Sequence, residues 1–267
     1  MTDRITKFKA WVKSGLGWLV FHLGVHRLLT DGRAIIVLFH RVDDRYSGTP
    51  ISSTRPEFAA FLRFFKRFYT VISLGELLAR LRRGEDVGNC LVITFDDGYL
   101  DNYRDAAPLL ASYGLPACFF VVTDFMGSDS LPWWDEELGI QAEWMNWDQV
   151  RALQAQGFEI GAHTMNHVDL GVTLGDDAFA EILGSKRRLE HELGAPVDYF
   201  SYPYGRRHQL AEENREAVQR AGFACCLSAF GGAVAPGDDP FRLHRTAVSP
   251  WFKSPYQFGF ETAFRRT

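Results

Sequence analysis

Four side chains in this sequence stand where short apolar runs break off, and their types suit hydrolysis assisted by a metal ion. The run Cys90-Leu91-Val92-Ile93-Thr94-Phe95 is apolar and β-favouring, and it ends in Asp96-Asp97-Gly98. Adjacent carboxylates at a strand end point in different directions, so one can bind a metal while the other takes a proton. Gly98 lets the backbone turn sharply straight after them. A second strand end carries Gly161-Ala162-His163-Thr164-Met165-Asn166-His167. Two imidazoles four residues apart reach one point if the chain makes a helical turn, a common way to chelate a divalent ion. With a strand-end Asp on an earlier loop they compose a two-histidine, one-carboxylate set. The sequence supplies its own contrasts. His22 and His26 share the spacing but have no carboxylate nearby, and they read as non-ligating. Asp43-Asp44 and Asp238-Asp239 do not directly end a buried-looking strand and read as solvated acidic turns.

A third feature, Phe200-Ser201-Tyr202-Pro203-Tyr204-Gly205, again runs a strand into a turn. Pro203 and Gly205 set a loop path that can present a backbone N–H to an oxyanion; taken alone, it is a strand followed by a turn. The elements that must position these groups alternate between short apolar runs and helical patterns, the signature of a parallel sheet built from βα units. The strands expected are Ala34 to Phe39, Cys90 to Phe95, Ala117 to Thr123, Phe158 to Ala162, Tyr199 to Tyr202, Ala224 to Ser228 and Arg242 to Val248. Pro56 suits a first helical turn, and Phe58, Phe61, Leu62, Phe65 and Phe68 follow at helical spacing. Helices are also expected over Asn102 to Tyr113, Trp147 to Gln156, Asp176 to Leu193 and Ala211 to Ala221. Gly114, Gly157, Gly194 and Gly222 then serve as their C-terminal caps. In such folds the chemistry sits on loops at the C-terminal edge of the strands.

With 267 residues and no linker, repeat or low-complexity block, the chain reads as one α/β barrel-like domain behind an N-terminal helical extension. A hydrophobic fraction of 46% excludes a disordered or fibrous chain, and a net charge of −4 gives no footprint for nucleic acid, which is not an expected partner. Four sparse cysteines read as buried thiols. The greasy run from Leu16 to Leu29 is too short to span a bilayer and precedes no small-residue cleavage site. The expectation is therefore no signal peptide and no transmembrane helix, with a cytoplasmic location. Ile5, Phe8, Trp11 and Val12 begin an amphipathic helix that either lies on a membrane surface or packs on its own domain.

TFDDG (Thr94 to Gly98), HTMNH (His163 to His167) and YPYG (Tyr202 to Gly205), in that order and each at a strand end, resemble the NodB-type polysaccharide deacetylases, the family 4 carbohydrate esterases. The resemblance covers roughly Ala34 to Val248. It implies a distorted (β/α)₇ barrel over residues 33–267 after an extension of residues 1–32. It also implies one divalent metal, zinc foremost with Co²⁺, Ni²⁺, Mn²⁺ or Fe²⁺ as alternatives, and hydrolysis of N-acetyl groups on amino sugars. Carried over by motif, Asp97, His163 and His167 would be the metal ligands, Asp96 the general base, and the Tyr204 N–H an oxyanion donor, with Tyr202 beside it at the substrate.

Two departures point to one branch. Ser201 stands where most of the family has an Arg that pairs with the base, and Leu243-His244-Arg245 puts His directly after Leu in the region of the usual Leu-x-His acid motif. Together with Phe39-His40-Arg41-Val42 after the first strand, this looks like the group containing the poly-β-1,6-N-acetylglucosamine and exopolysaccharide-cluster deacetylases. That likeness implies His40 as general acid, with His244 as second choice. Arg245 is placed at the substrate side of the site, where it could also replace the missing Arg beside Asp96. Between Phe125 and Trp147, the tryptophans Trp133, Trp134, Trp144 and Trp147 either shape a sugar groove or cover the barrel. The expected substrate is an N-acetylated glycan or its lipid-linked precursor. A catalytically silent sugar-binding barrel and a hydrolase of formyl or O-acetyl groups are the competing readings.

Overall fold

The computed structural model describes residues 2–30, 32–248, 250 and 252–264, with side chains from residue 8 onward. The chain starts with helices α1 (Thr2–His22) and α2 (Val25–Thr30) and enters the sheet at β1 (Ile35–Phe39). A small ladder of β2 (Arg41–Val42) and β3 (Ser52–Ser53) precedes α3 (Arg55–Phe68), β4 (Thr70–Val71) and α4 (Leu74–Arg83). Strand β5 (Cys90–Phe95) leads through a π-helical turn, Asn102–Ala106, into α5 (Ala107–Tyr113), then β6 (Cys118–Val121), α6 (Trp133–Glu137) and α7 (Trp147–Ala155). Then come β7 (Glu159–Ala162), α8 (Gly175–Leu193), β8 (Tyr199–Ser201), α9 (Glu212–Arg220), β9 (Cys225–Leu227), β10 (Thr246–Ala247) and α10 (Pro255–Phe264).

The strands run parallel in the order β10-β1-β5-β6-β7-β8-β9, with β4 paired to the start of β5. A bridge between Leu227 and Leu243 joins the segment before β10 to β9, so the seven-strand path curls into a distorted (β/α)₇ barrel. Local chemistry accounts for the helices. Thr54 caps α3 reciprocally with Glu57, and α3 buries Phe58, Phe61, Leu62, Phe64, Phe65 and Phe68. Gly114, Gly157, Gly194 and Gly222 all have positive φ after their helices, as expected of C-terminal caps.

Two-residue periodicity divides the core. Leu91, Ile93 and Phe95 of β5 join the large cluster between sheet and helices, whereas Cys90 and Val92 join a smaller cluster inside the barrel. The interior is narrow. A Cβ on Gly161 would lie 2.4 Å from the Phe120 ring, so only glycine fits there. All four cysteines are free and buried. No helix among the described residues is long and apolar enough to cross a membrane. One face of α1 is buried through Ala10 and Phe21, the latter against Phe64, Phe68 and Tyr69. Ile5, expected on the amphipathic face, has its side chain outside the described ones.

Candidate metal centre and active site

The interior face of β5 continues through Thr94 to Asp96, and the backbone then turns left-handed at Asp97, φ 75°, and Gly98, φ 88°. That break in alternation lets both carboxylates reach one site. Asp97 and Thr164 are non-glycine residues held at positive φ, as is His167 at φ 56°, a costly geometry found where the surrounding structure enforces it. His163 and His167 thus converge through a left-handed loop, not through the helical turn that their spacing suggests.

Donor atoms of Asp97, His163 and His167 lie within 4.8 Å of one another, and all three residues are buried. Asp97 Oδ1 is 3.4 Å from Nε2 of both imidazoles, beyond hydrogen-bond range. Donors about 2.0–2.2 Å from a shared tetrahedral ion would stand roughly 3.3–3.6 Å apart, so the spacing fits a divalent cation. Two further observations agree. Asp97 Oδ1 is buried without a hydrogen-bond partner. His163 Nδ1 donates to the Ser201 carbonyl at 2.7 Å, leaving the Nε2 lone pair toward the centre.

Asp96 lies beside this triad, its Oδ2 3.9 Å from His163 Nε2. Arg245 grips it with both terminal nitrogens, Nη1 to Oδ1 at 2.8 Å and Nη2 to Oδ2 at 2.7 Å, while Ser201 Oγ donates to Oδ2 at 3.2 Å. Electrostatics follows from the contacts. Burial would push the Asp96 carboxyl up, but Arg245, His163 and His40 outweigh it and hold it below the usual range. Burial likewise opposes ionisation of Asp97, yet the two imidazoles hold it well below that range. His40 is half-buried at the end of β1, and its charge acts on both Asp96 and Asp97. Tyr204 takes a left-handed conformation, φ 59°, with its ring 4.7 Å from that of His167. Among the described residues no acceptor receives its N–H.

Three expected site residues lie elsewhere or do something else, and strand alternation is the reason. Ser201 faces the interior, so Tyr202 faces out, into the helix-side core with its hydroxyl near Cys226 Sγ; it is not a substrate contact. Leu243 and Arg245 face inward, so His244 turns outward against Phe230, and the charges felt by its imidazole are those of Asp238 and Arg207. It is not placed to act as an acid. Arg245 is fully buried against Asp96 and not at the substrate; of its two expected positions it takes the one opposite the base.

Among the tryptophans, Trp134 packs on His167 at 4.5 Å and Trp133, 60% exposed, donates to the Tyr204 hydroxyl. Trp144 instead lies under Tyr99, covering the core, and half-buried Trp147 joins the core cluster and meets the Arg188 guanidinium. His26 is buried against Phe21, and Asp43 is no solvated turn: it is buried and accepts from Arg45.

Asp101 and Asn102, the latter expected only as the start of a helix, also serve the site. Asp101 accepts from Arg41 Nε and the Val42 N–H, both at 2.9 Å, and Asn102 Nδ2 donates to the His40 carbonyl at 2.8 Å. They clamp the segment that carries His40. The signal available was their place directly after the acidic strand end.

Comparison with known proteins agrees with this geometry. The sequence profile of a family described as polysaccharide deacetylase matches residues 83–225. The Bacillus subtilis protein YxkH is 26% identical over 217 residues, 80% of this chain and 71% of that protein. A poly-β-1,6-N-acetyl-D-glucosamine N-deacetylase of Staphylococcus epidermidis is 23% identical over 205 residues, 74% of this chain and 68% of the relative. In fold, the chain is similar to IcaB from Ammonifex degensii, with a TM-score of 0.72 at 24% identity, over 86% of this chain and 97% of that one.

Proposed function

The chain belongs to the polysaccharide deacetylase family, and on that premise we propose that it hydrolyses N-acetyl groups of an amino-sugar glycan at the Asp96/Asp97/His163/His167 centre. The observation that carries this reading is the convergence of three ligand-type donors beside a separate carboxylate held by an arginine. Asp97, His163 and His167 would hold the ion, zinc by their nitrogen and oxygen donors, and such an ion supplies Lewis acidity toward an acyl oxygen and a water.

Asp96 accepts the proton of the attacking water; its pairing with Arg245 keeps it ionised and aims it. The Tyr204 N–H donates to the oxygen of the acetamide as charge gathers there. His40 gives a proton to the sugar nitrogen as the C–N bond breaks, so acetate and a free amine leave. Trp133 offers an apolar face to a sugar ring. The finer form of the reading takes poly-β-1,6-linked N-acetylglucosamine or a lipid-linked precursor as substrate, with a peripheral lipid contact.

Acetate release from N-acetylglucosamine oligomers by metal-stripped protein, with and without added Zn²⁺ or Co²⁺, tests the reading. Activity should return with metal and vanish in Asp96→Asn. Metal binding without acetate from any N-acetylated sugar would overturn it in favour of a sugar-binding barrel or another acyl group.

A further inference from the structure

Helix α1 is apolar on the side that a surface helix normally gives to water. At 3.6 residues per turn, positions 8, 11, 12, 15, 16, 19 and 22 share one side, and Leu23 follows in the turn after the helix, while 10, 14, 17 and 21 share the other. The second set is the docked one. Ala10 and Phe21 are buried, Ser14 Oγ meets Ser254 Oγ at 2.7 Å, and Gly17 lies against the Tyr256 backbone. The first set faces outward and, His22 aside, is apolar. Phe8 is 65% exposed, Trp11 75% and Leu23 73%, with Val12, Leu16 and Leu19 exposed between them, Trp18 on the flank, and Leu28 of α2 81% exposed beyond. A continuous exposed stripe of this kind marks an interaction surface.

The charge around the stripe identifies the partner. No Asp or Glu stands between Arg4 and Thr30, whereas Arg4, Lys7, Lys9, Lys13 and Arg27 do, in a chain whose net charge is −4. Lys9 and Arg27 are exposed beside the stripe, and Lys13 pairs with Glu261 of α10 at 3.0 Å. A second copy docked through the same face would set basic residue against basic residue with no acid of the stripe between them. A surface of anionic lipid supplies the missing sign, and tryptophans at the level of the headgroups suit such an interface.

We propose that the outward face of α1 and α2 docks this protein on anionic membranes, lying in the interface without spanning it. The proposal rests on the peripheral lipid contact of the reading above and names its face and lipid charge; its test needs no turnover, so its failure leaves the hydrolytic reading standing. The 267-residue chain is floated with phosphatidylcholine vesicles, with and without roughly a third phosphatidylglycerol, across a salt series. It should float with the anionic vesicles, with a blue shift of tryptophan emission, and less so as salt rises.

The variant Trp11→Glu/Leu19→Glu/Leu23→Glu should lower the vesicle-bound fraction at least ~10-fold, since burying one such side chain is worth about that factor. Its circular dichroism and melting should match the parent. Leu28→Glu, at the far end of the stripe and outside α1, tests the surface should the triple variant fail to fold. Absence of flotation, unchanged flotation of the folded variants, or a dimer in light scattering that those variants dissolve while no vesicle is bound would overturn the proposal.

Discussion

Replacing Asp135 by Asn should make this protein more stable at pH 8 and change little at pH 3.5. Asp135 is fully buried and accepts from the Tyr99 hydroxyl at 2.8 Å, while its Oδ1 has no partner. Burial first, and then the charges of Asp97 and Asp101, raise its carboxyl from 3.8 to about 6 against the hydrogen bond from Tyr99 and the charge of Arg41. A carboxyl raised in the folded state favours folding below its unfolded value, and that benefit is lost as pH climbs through the folded value. A rise of about two units, at 1.36 kcal/mol each, makes the ionised group cost up to about 3 kcal/mol above pH 6. Asparagine keeps an acceptor for Tyr99 and carries no charge, so it removes the cost at every pH.

Urea denaturation followed by circular dichroism measures the effect. At pH 8 the variant should gain about 2–3 kcal/mol, and the gap should fall to about half by pH 5 and close below pH 4, where the carboxyl is protonated in the unfolded chain as well. A gap that is the same at pH 8 and pH 3.5, or a variant less stable than the parent at pH 8, would refute the reasoning that desolvation dominates at Asp135.

Asp97→Asn or His163→Ala should lower zinc affinity by more than ~100-fold in calorimetric titration, since each removes a direct ligand where partners one shell out already account for 10–100-fold. Arg245→Met strands the buried Asp96 carboxylate and should cost about 3–5 kcal/mol in urea at neutral pH; Arg245→Lys, which keeps a charge, should cost less. A loss below ~1 kcal/mol would show that the pair is not buried as described. His40→Asn should reduce kcat for acetate release by about 10²–10⁴-fold, and His244→Asn by no more than a few-fold; the reverse order would reassign the acid.

Several features were legible because local chemistry and register set them. The Cys90–Phe95 run is the strand expected from its β-favouring residues, and the glycines after four helices take the left-handed conformations their positions call for. The carboxylate pair and the two histidines also stood out, since few residue types ligate a cation and fewer stand at the ends of apolar runs. Their route to one point did not. Spacing of four suggested a helical turn, but the chain uses positive φ at Thr164 and His167, which residue types other than glycine do not announce.

Amino-acid order alone therefore marked the seven strands of the barrel path, the last of them reduced to Thr246–Ala247, together with the ends of four helices and the residue types at the barrel mouth; it did not mark β2, β3, β4 or α4. Tertiary structure decided which neighbour of each pair faces in. In β8 and before β10 a shift of one residue separates Ser201 from Tyr202 and Arg245 from His244, and only the curvature of the sheet distinguishes interior from helix side. The same holds for long-range partners. Arg245 meets Asp96 from 149 positions away and Asp101 meets Arg41 from 60, pairings that arise when parallel strands bring distant segments side by side.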